Sequence, residues 1–234
     1  MITEIQTTKP SKFIIGILFI LLLLFGTSLM GTAPVLHLLG QSAINTTLFI
    51  ITRLAYWLCL AIIWLYAVKI EKQPLLLWEE KNYAITKYLL FFIAIAGSVI
   101  IGNGLIDGVL HVLHISGESK AMDKMMVLFR AHKSLLLLTA FTAGVTEELI
   151  FRGYIQPRLE LLFKNTWSAI FISSLLFGLL HYRYGTWFNV LGPFMMGLVF
   201  AFYYSKYRNI KLLILFHFLW DVMAISLTLF VHHQ

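Results

Sequence analysis

The chain returns repeatedly to apolar stretches about as long as a bilayer is thick. A helix needs about 20 residues to cross roughly 30 Å of hydrocarbon. Seven stretches approach that length: residues 13–32, 47–69, 87–106, 134–155, 167–183, 187–205 and 211–231. The fifth is short, the sixth carries Pro193, and a split of the last would make eight. In lipid a backbone must satisfy its own amides, which makes each of these a helix. The expected fold is therefore all-α, a polytopic transmembrane helical bundle. Composition agrees, with 59% of the 234 residues hydrophobic and 12% charged, about half the charge of a soluble domain.

The formal charge of +7 would point to nucleic acid in a soluble chain. Here Lys and Arg cluster between apolar stretches, where they set topology, so no nucleic-acid partner is implied. With the N-terminus cytoplasmic they divide eleven inside to six outside, Arg53 among the six and Arg152 left out. Lys9 and Lys12 before Phe13–Met30 have the look of a signal peptide. The apolar run is long for one, however, and Pro34 follows the small-residue cluster Gly31-Thr32-Ala33, so it reads as a retained first span. Cys59 stands alone in the chain and reads as a buried small hydrophobe. The connection from Glu71 to Lys81 reads as a solvated loop. Residues Glu118 to Lys133 mix Met, Val, Leu and Phe with basic side chains, as a helix lying in the interface does, and such a helix could cover the mouth of a cavity. The chain divides into residues 1–133, three spans and this connector, and residues 134–231, which hold the unusual polar groups.

The most unusual of these is Thr146-Glu147-Glu148-Leu149-Ile150-Phe151-Arg152-Gly153, which places two acids and a base inside the fourth apolar stretch. Each charge at the bilayer centre costs about 2.5 to 3.5 kcal/mol on insertion scales, so intramembrane ionisable groups are functional candidates by default. Glu148 and Arg152, four apart on a helix, share a face and pair. Glu147, about 100° around, is left free. On the fifth stretch Phe177 and His181 share a face, with Gly178 admitting a close neighbour. On the seventh, His217 and Asp221 are again four apart. Two imidazoles and an unpaired carboxylate are the parts needed to activate a water, with or without a divalent metal.

EExxxR, then FxxxH, then HxxxD on successive apolar stretches, with the continuation Phe151-Arg152-Gly153, resembles the CPBP family of CAAX protease and bacteriocin-processing intramembrane endopeptidases. The resemblance covers residues 134–231. It implies that Glu147 activates the attacking water, that Glu148 and Arg152 orient Glu147 and fix the helix, and that His181 and His217 are the histidines of the second and third motifs. Asp221 stands where family members carry Asn or Asp. An ionised Asp accepts hydrogen bonds and cannot donate to an oxyanion, so it is expected to orient His217 or to ligate a metal. The metal set implied is Glu147, His181, His217 and Asp221, with zinc the expected ion; a metal-free glutamate mechanism is the alternative. The partners implied are membrane lipid and a peptide or lipidated protein substrate; the location expected is a bacterial plasma membrane, and the Lys/Arg count with the depth of Glu147 puts the cavity opening on the cytoplasmic side. Gly144, Gly178, Gly192 and Gly197 are expected to shape that cavity.

Two other functions compete. A transporter or channel would use the Gly-rich stretch Gly97–Gly108, with Asn103 and Asp107, as a broken helix. A non-catalytic immunity factor would keep the motifs without turnover. Asp107, His111 and His114 form a second candidate metal cluster, and His232 and His233 read as a solvated tail.

Overall fold

The computed structural model describes residues 8–30, 33–38, 40 and 45–231. Gly31, Thr32, His232 and His233 lie outside the described residues. The elements are helices α1 (Pro10–Leu29), α2 (Ala33–Leu38), α3 (Thr46–Tyr66), α4 (Ile85–Val112), α5 (Lys120–Ala131), α6 (Lys133–Glu148), α7 (Gln156–Phe163), α8 (Thr166–Leu180), α9 (Phe188–Tyr207) and α10 (Ile210–Val231). A π-helical turn, Ala67–Glu71, extends α3, and a second, Leu149–Ile155, joins α6 to α7 without a break in direction. The described residues contain no strand. The fold is the expected all-α polytopic bundle.

Six helices among the described residues are long and apolar enough to cross a membrane. Of the seven expected stretches, the fifth became α8, whose 15 residues fall short of a full crossing. The fourth runs much further than expected, 31 residues from Lys133 to Phe163, because α7 continues the line of α6. This long helix is the centre of the bundle: 61% of its apolar window is buried, against at most 33% for any other span. Its core partners are Ile20 of α1, Ile63 of α3, Ile95 of α4, Phe177 of α8, Phe200 of α9 and Phe216 of α10, so one core spans both sides of residue 133.

Local sequence sets the ends of these helices. Asn45, Ser119 and Asn165 accept the amides of Leu48, Met122 and Ser168, each three residues on, and so begin α3, α5 and α8. Lys164 and Arg208 adopt left-handed backbone angles that end α7 and α9 and reverse the chain. The connector after the third span forms the expected amphipathic helix: α5 buries Met126 and Phe129 against Phe49, Leu135 and Leu136.

Two expectations fail. The stretch Gly97–Gly108 does not interrupt a helix, because α4 runs unbroken for 28 residues. A Cβ at Gly97, Gly104 or Gly108 would meet nothing within 4 Å, so these glycines face outward and bend nothing. The connection from Glu71 to Lys81 is not a solvated loop. Glu71 and Gln73 are buried, and Glu80 binds the Tyr204 hydroxyl and the Ile210 amide. The cause is Arg158, wholly buried at the end of the central helix, which must be neutralised. Its Nε and Nη2 donate to Glu71 Oε2 at 2.8 and 2.6 Å, and its remaining hydrogens go to the carbonyls of Tyr154, Pro74 and Leu75. Tyr154 donates to the other Glu71 oxygen at 2.6 Å. This network closes the bundle at the end where α1 begins.

Candidate active site

The site is built where α6 meets α10. A Cβ on Gly144 would stand 3.1 Å from the Ile214 carbonyl oxygen and from the Phe218 amide, so the missing side chain lets the two backbones touch. One turn on from Gly144, Glu148 is thereby brought against His217. His217 Nδ1 lies 2.8 Å from Glu148 Oε1, which also accepts from Arg152 Nη1 at 3.0 Å. All three are buried. Arg152 is further held between the rings of Phe177 and Phe200, 4.6 and 5.3 Å from their centroids. The expected Glu148–Arg152 pair is present, but its other contact is with the imidazole and not with Glu147.

Glu147, one residue earlier, points elsewhere, as the helical spacing requires. Its Oε2 lies 3.9 Å from Nε2 of His217, and Asp221 Oδ2 lies 3.6 Å from the same nitrogen. Glu147 and Asp221 are 19% and 25% exposed, whereas His217 is 3% exposed, so the open side of the cluster is the side with the two carboxylates. Asp221 is therefore not the group that fixes His217 from behind. Glu148 has that place, because the α6–α10 contact delivers its oxygen to Nδ1 while the helical spacing within α10 puts Asp221 on the Nε2 side.

His181 caps the end of α8, and its Nδ1 sits 2.9 Å from the Phe177 carbonyl oxygen. It joins the cluster through Phe177, whose ring centroid is 5.0 Å from its own and 6.3 Å from that of His217. Phe177 is the common wall of both imidazoles and of the guanidinium. Among the described residues no three His, Cys, Asp or Glu side chains converge closely enough to hold a metal ion. Of the expected ligand set, His181 stands apart, while Nδ1 of His217 is taken by Glu148 and leaves Nε2 facing Glu147 and Asp221. Asp107, His111 and His114 do not converge either, since α4 ends at Val112 and His114 has left helical geometry with φ 54°.

Of the four glycines expected to shape a cavity, three pack helices together. Gly144 admits α10, Gly178 admits the Val190 carbonyl of α9, and Gly197 admits Ser174 of α8. The rim is made instead of residues the sequence did not single out. The short 3₁₀ turn Tyr182–Tyr184 follows His181, and the Tyr184 ring centroid lies 6.0 Å from that of His181. The Tyr184 carbonyl accepts from Ser119 Oγ, which docks α5 on this turn. Burial pushes the Tyr184 phenol above its ordinary pKa; Arg53 and Arg183 oppose that shift while Glu147 and Asp221 add to it. Tyr56 of α3 lies in the same field of Arg53, Tyr184, Glu147 and Arg183. Arg53 was legible as an arginine inside an apolar stretch, but a count of flanking charges assigns it to topology. The rim lies at the end of the bundle opposite Pro10, and the other end is sealed by Arg158 and Glu71. A cytoplasmic N-terminus and a cavity opening to the cytoplasm are thus incompatible in this fold.

These features define an integral membrane protein whose buried acid, base and imidazole groups meet on a central helix. Residues 130–223 match the model of the Rce1-like family, type II CAAX prenyl endopeptidase. An uncharacterised protein of Mycoplasma capricolum subsp. capricolum is 29% identical over 164 residues, which are 63% of this chain and 47% of that one. The chain thus spans about half the length of that curated relative. No solved structure matches.

Proposed function

We propose that the protein is an intramembrane endopeptidase acting on a membrane-associated peptide or lipidated protein, with a prenylated C-a-a-X end as the first substrate class to test. The reading rests above all on one observation: Nε2 of His217 faces Glu147 and Asp221 at 3.9 and 3.6 Å. Both separations exceed a direct hydrogen bond and suit a water between the groups. The match of residues 130–223 to the Rce1-like family model supports the same chemistry.

In this scheme Glu147 takes a proton from that water as its oxygen attacks the scissile carbonyl carbon. The carbonyl π electrons move to oxygen, giving a tetrahedral oxyanion. When the oxyanion collapses, the C–N bond breaks and Glu147 returns the proton to the leaving amine. Glu148 holds His217 from behind through Nδ1, so that Nε2 is kept facing the water, and Arg152 holds Glu148. His181, with Nδ1 directed at the Phe177 carbonyl, presents Nε2 toward the rim and the incoming chain. No step is routed through a metal.

Glu147→Gln keeps the shape and removes the base. General-base catalysis contributes about 10²- to 10⁴-fold, so turnover of an S-farnesylated C-a-a-X peptide by the reconstituted variant is expected to fall by at least the lower factor. A comparison of membrane peptidomes from cells carrying either form then identifies native substrates. Undiminished cleavage by the variant overturns the assignment.

A further inference from the structure

Arg53 is an arginine inside a membrane helix with no carboxylate on it. Its guanidinium lies over the rings of Phe49 and Tyr56, 4.9 and 5.1 Å from their centroids. Its Nε is buried and has no hydrogen-bond partner, and its one hydrogen bond is a long 3.5 Å contact from Nη2 to the neighbouring Thr52 hydroxyl. No ion pair involves it among the described residues. The other two buried-helix arginines are paired: Arg152 with Glu148 and Arg158 with Glu71. A guanidinium whose faces are stacked on aromatic rings and whose N–H edge is unspent is prepared for a planar anion, and carboxylate is the best geometric match.

Its position relative to Glu147 selects among anions. Helices α3 and α6 run in the same direction: Phe49 near the start of α3 shares a core cluster with Leu135 and Leu136 near the start of α6, and Glu71 after α3 pairs with Arg158 of α7, which continues α6. They are tied in register where Trp57 Nε1 donates to Thr142 Oγ1 at 3.2 Å. Arg53 lies one turn before Trp57 and Glu147 lies five residues after Thr142, an axial offset of about 13 Å at 1.5 Å per residue. Both side chains lean toward their helix N-termini and so shift the same way, which leaves the offset at about 13 Å. In a C-a-a-X end the prenylated cysteine lies three residues from the terminal carboxylate, an extended reach of about 10 Å.

We propose that Arg53 anchors the free C-terminal carboxylate of the substrate, fixing which peptide bond lies over Glu147. The proposal rests on the endopeptidase reading for its ligand. Exposed Arg183 adds a second positive charge at the rim. An anionic lipid headgroup is the competing occupant, disfavoured because Arg53 is half-buried between α3 rings and faces the site.

The test uses a dansylated, S-farnesylated peptide ending in cysteine, two aliphatic residues and methionine, made with a free carboxylate and as the amide. Binding is measured to the Glu147→Gln protein in phosphatidylcholine nanodiscs, with and without phosphatidylglycerol. The acid is expected to bind about tenfold more tightly than the amide. Adding Arg53→Gln should lower acid binding to the amide level and leave amide binding unchanged, and Arg53→Lys should restore part of the preference. With Glu147 intact, Arg53→Gln should raise KM for the acid about tenfold with kcat little changed. Equal binding of the two peptides by the Arg53 protein overturns the proposal, as does a preference that survives Arg53→Gln. Loss of a phosphatidylglycerol effect in Arg53→Gln, with no acid preference, assigns the site to lipid instead. A preference for the acid in a protein that cleaves neither peptide removes the enzyme reading and leaves the carboxylate site standing.

Discussion

Nδ1 of His217 and Oε1 of Glu148 meet at 2.8 Å across the contact of α6 with α10. The same oxygen accepts from Arg152, so one carboxylate holds both a guanidinium and an imidazole in a buried setting. Removing one partner of a buried ion pair costs about 3–5 kcal/mol because the other charge is left alone. Glu148→Ala is therefore expected to lower the melting temperature sharply in detergent. Glu147→Ala, at a partly exposed position with no close hydrogen bond, is expected to cost less than about 1 kcal/mol. Equal losses for the two would contradict the division of roles between the adjacent acids.

At the opposite end, Glu71→Ala strands Arg158, and a loss of similar size, about 3–5 kcal/mol, is expected. The molecules that remain folded should keep kcat within about twofold, since Arg158 lies about 15 Å along the central helix from Glu148 at 1.5 Å per residue. Parallel thermal scans and turnover assays on the variant check both halves of this expectation.

Gly144→Ala tests the helix contact itself. The new methyl would press on two backbone atoms at 3.1 Å, and backbone yields less readily than a side-chain tip. Overpacking of this kind costs about 1–3 kcal/mol, and here it also draws Glu148 away from His217, so activity should fall more than stability alone explains. Gly97→Ala meets nothing within 4 Å and serves as the control, neutral or slightly stabilising. Identical behaviour of the two variants would refute the role given to Gly144.

We propose that the N-terminus is cytoplasmic in a bacterial plasma membrane, following the distribution of Lys and Arg. In a Cys59→Ala background, cysteine at Gly185 should then react with an impermeant maleimide added to intact cells, and cysteine at Lys211 only after permeabilisation. The reverse pattern would invert the protein and bring the site rim to the cytoplasm.

Much of this was legible in the chain because two periodicities carry over long distances. Apolar length gave the helices, and spacing of four gave Glu148 with Arg152 and His217 with Asp221 on shared faces. Partners across helices were not legible. Which carboxylate meets Nδ1 of His217 depends on how closely α10 approaches Gly144, a packing fact that one-dimensional spacing does not encode. His181 stands apart from the carboxylates because α8 stops at Leu180 and leaves that residue at a helix end. Arg158 and Glu71 looked like flanking, solvated charges because each adjoins an apolar stretch. Only the continuation of α6 through a π-helical turn into α7 carries Arg158 into the bundle.

That continuation bears on how the molecule can be cut. The family match begins at residue 130, which invites expression of the motif-bearing half alone. Such a fragment would retain the Arg158 guanidinium and lose Glu71, Pro74 and Leu75, which supply most of its acceptors. The boundary drawn by homology is not one at which the polypeptide can be divided, and any shortened form of this scaffold must keep the segment around residue 71, on its own chain or supplied in trans.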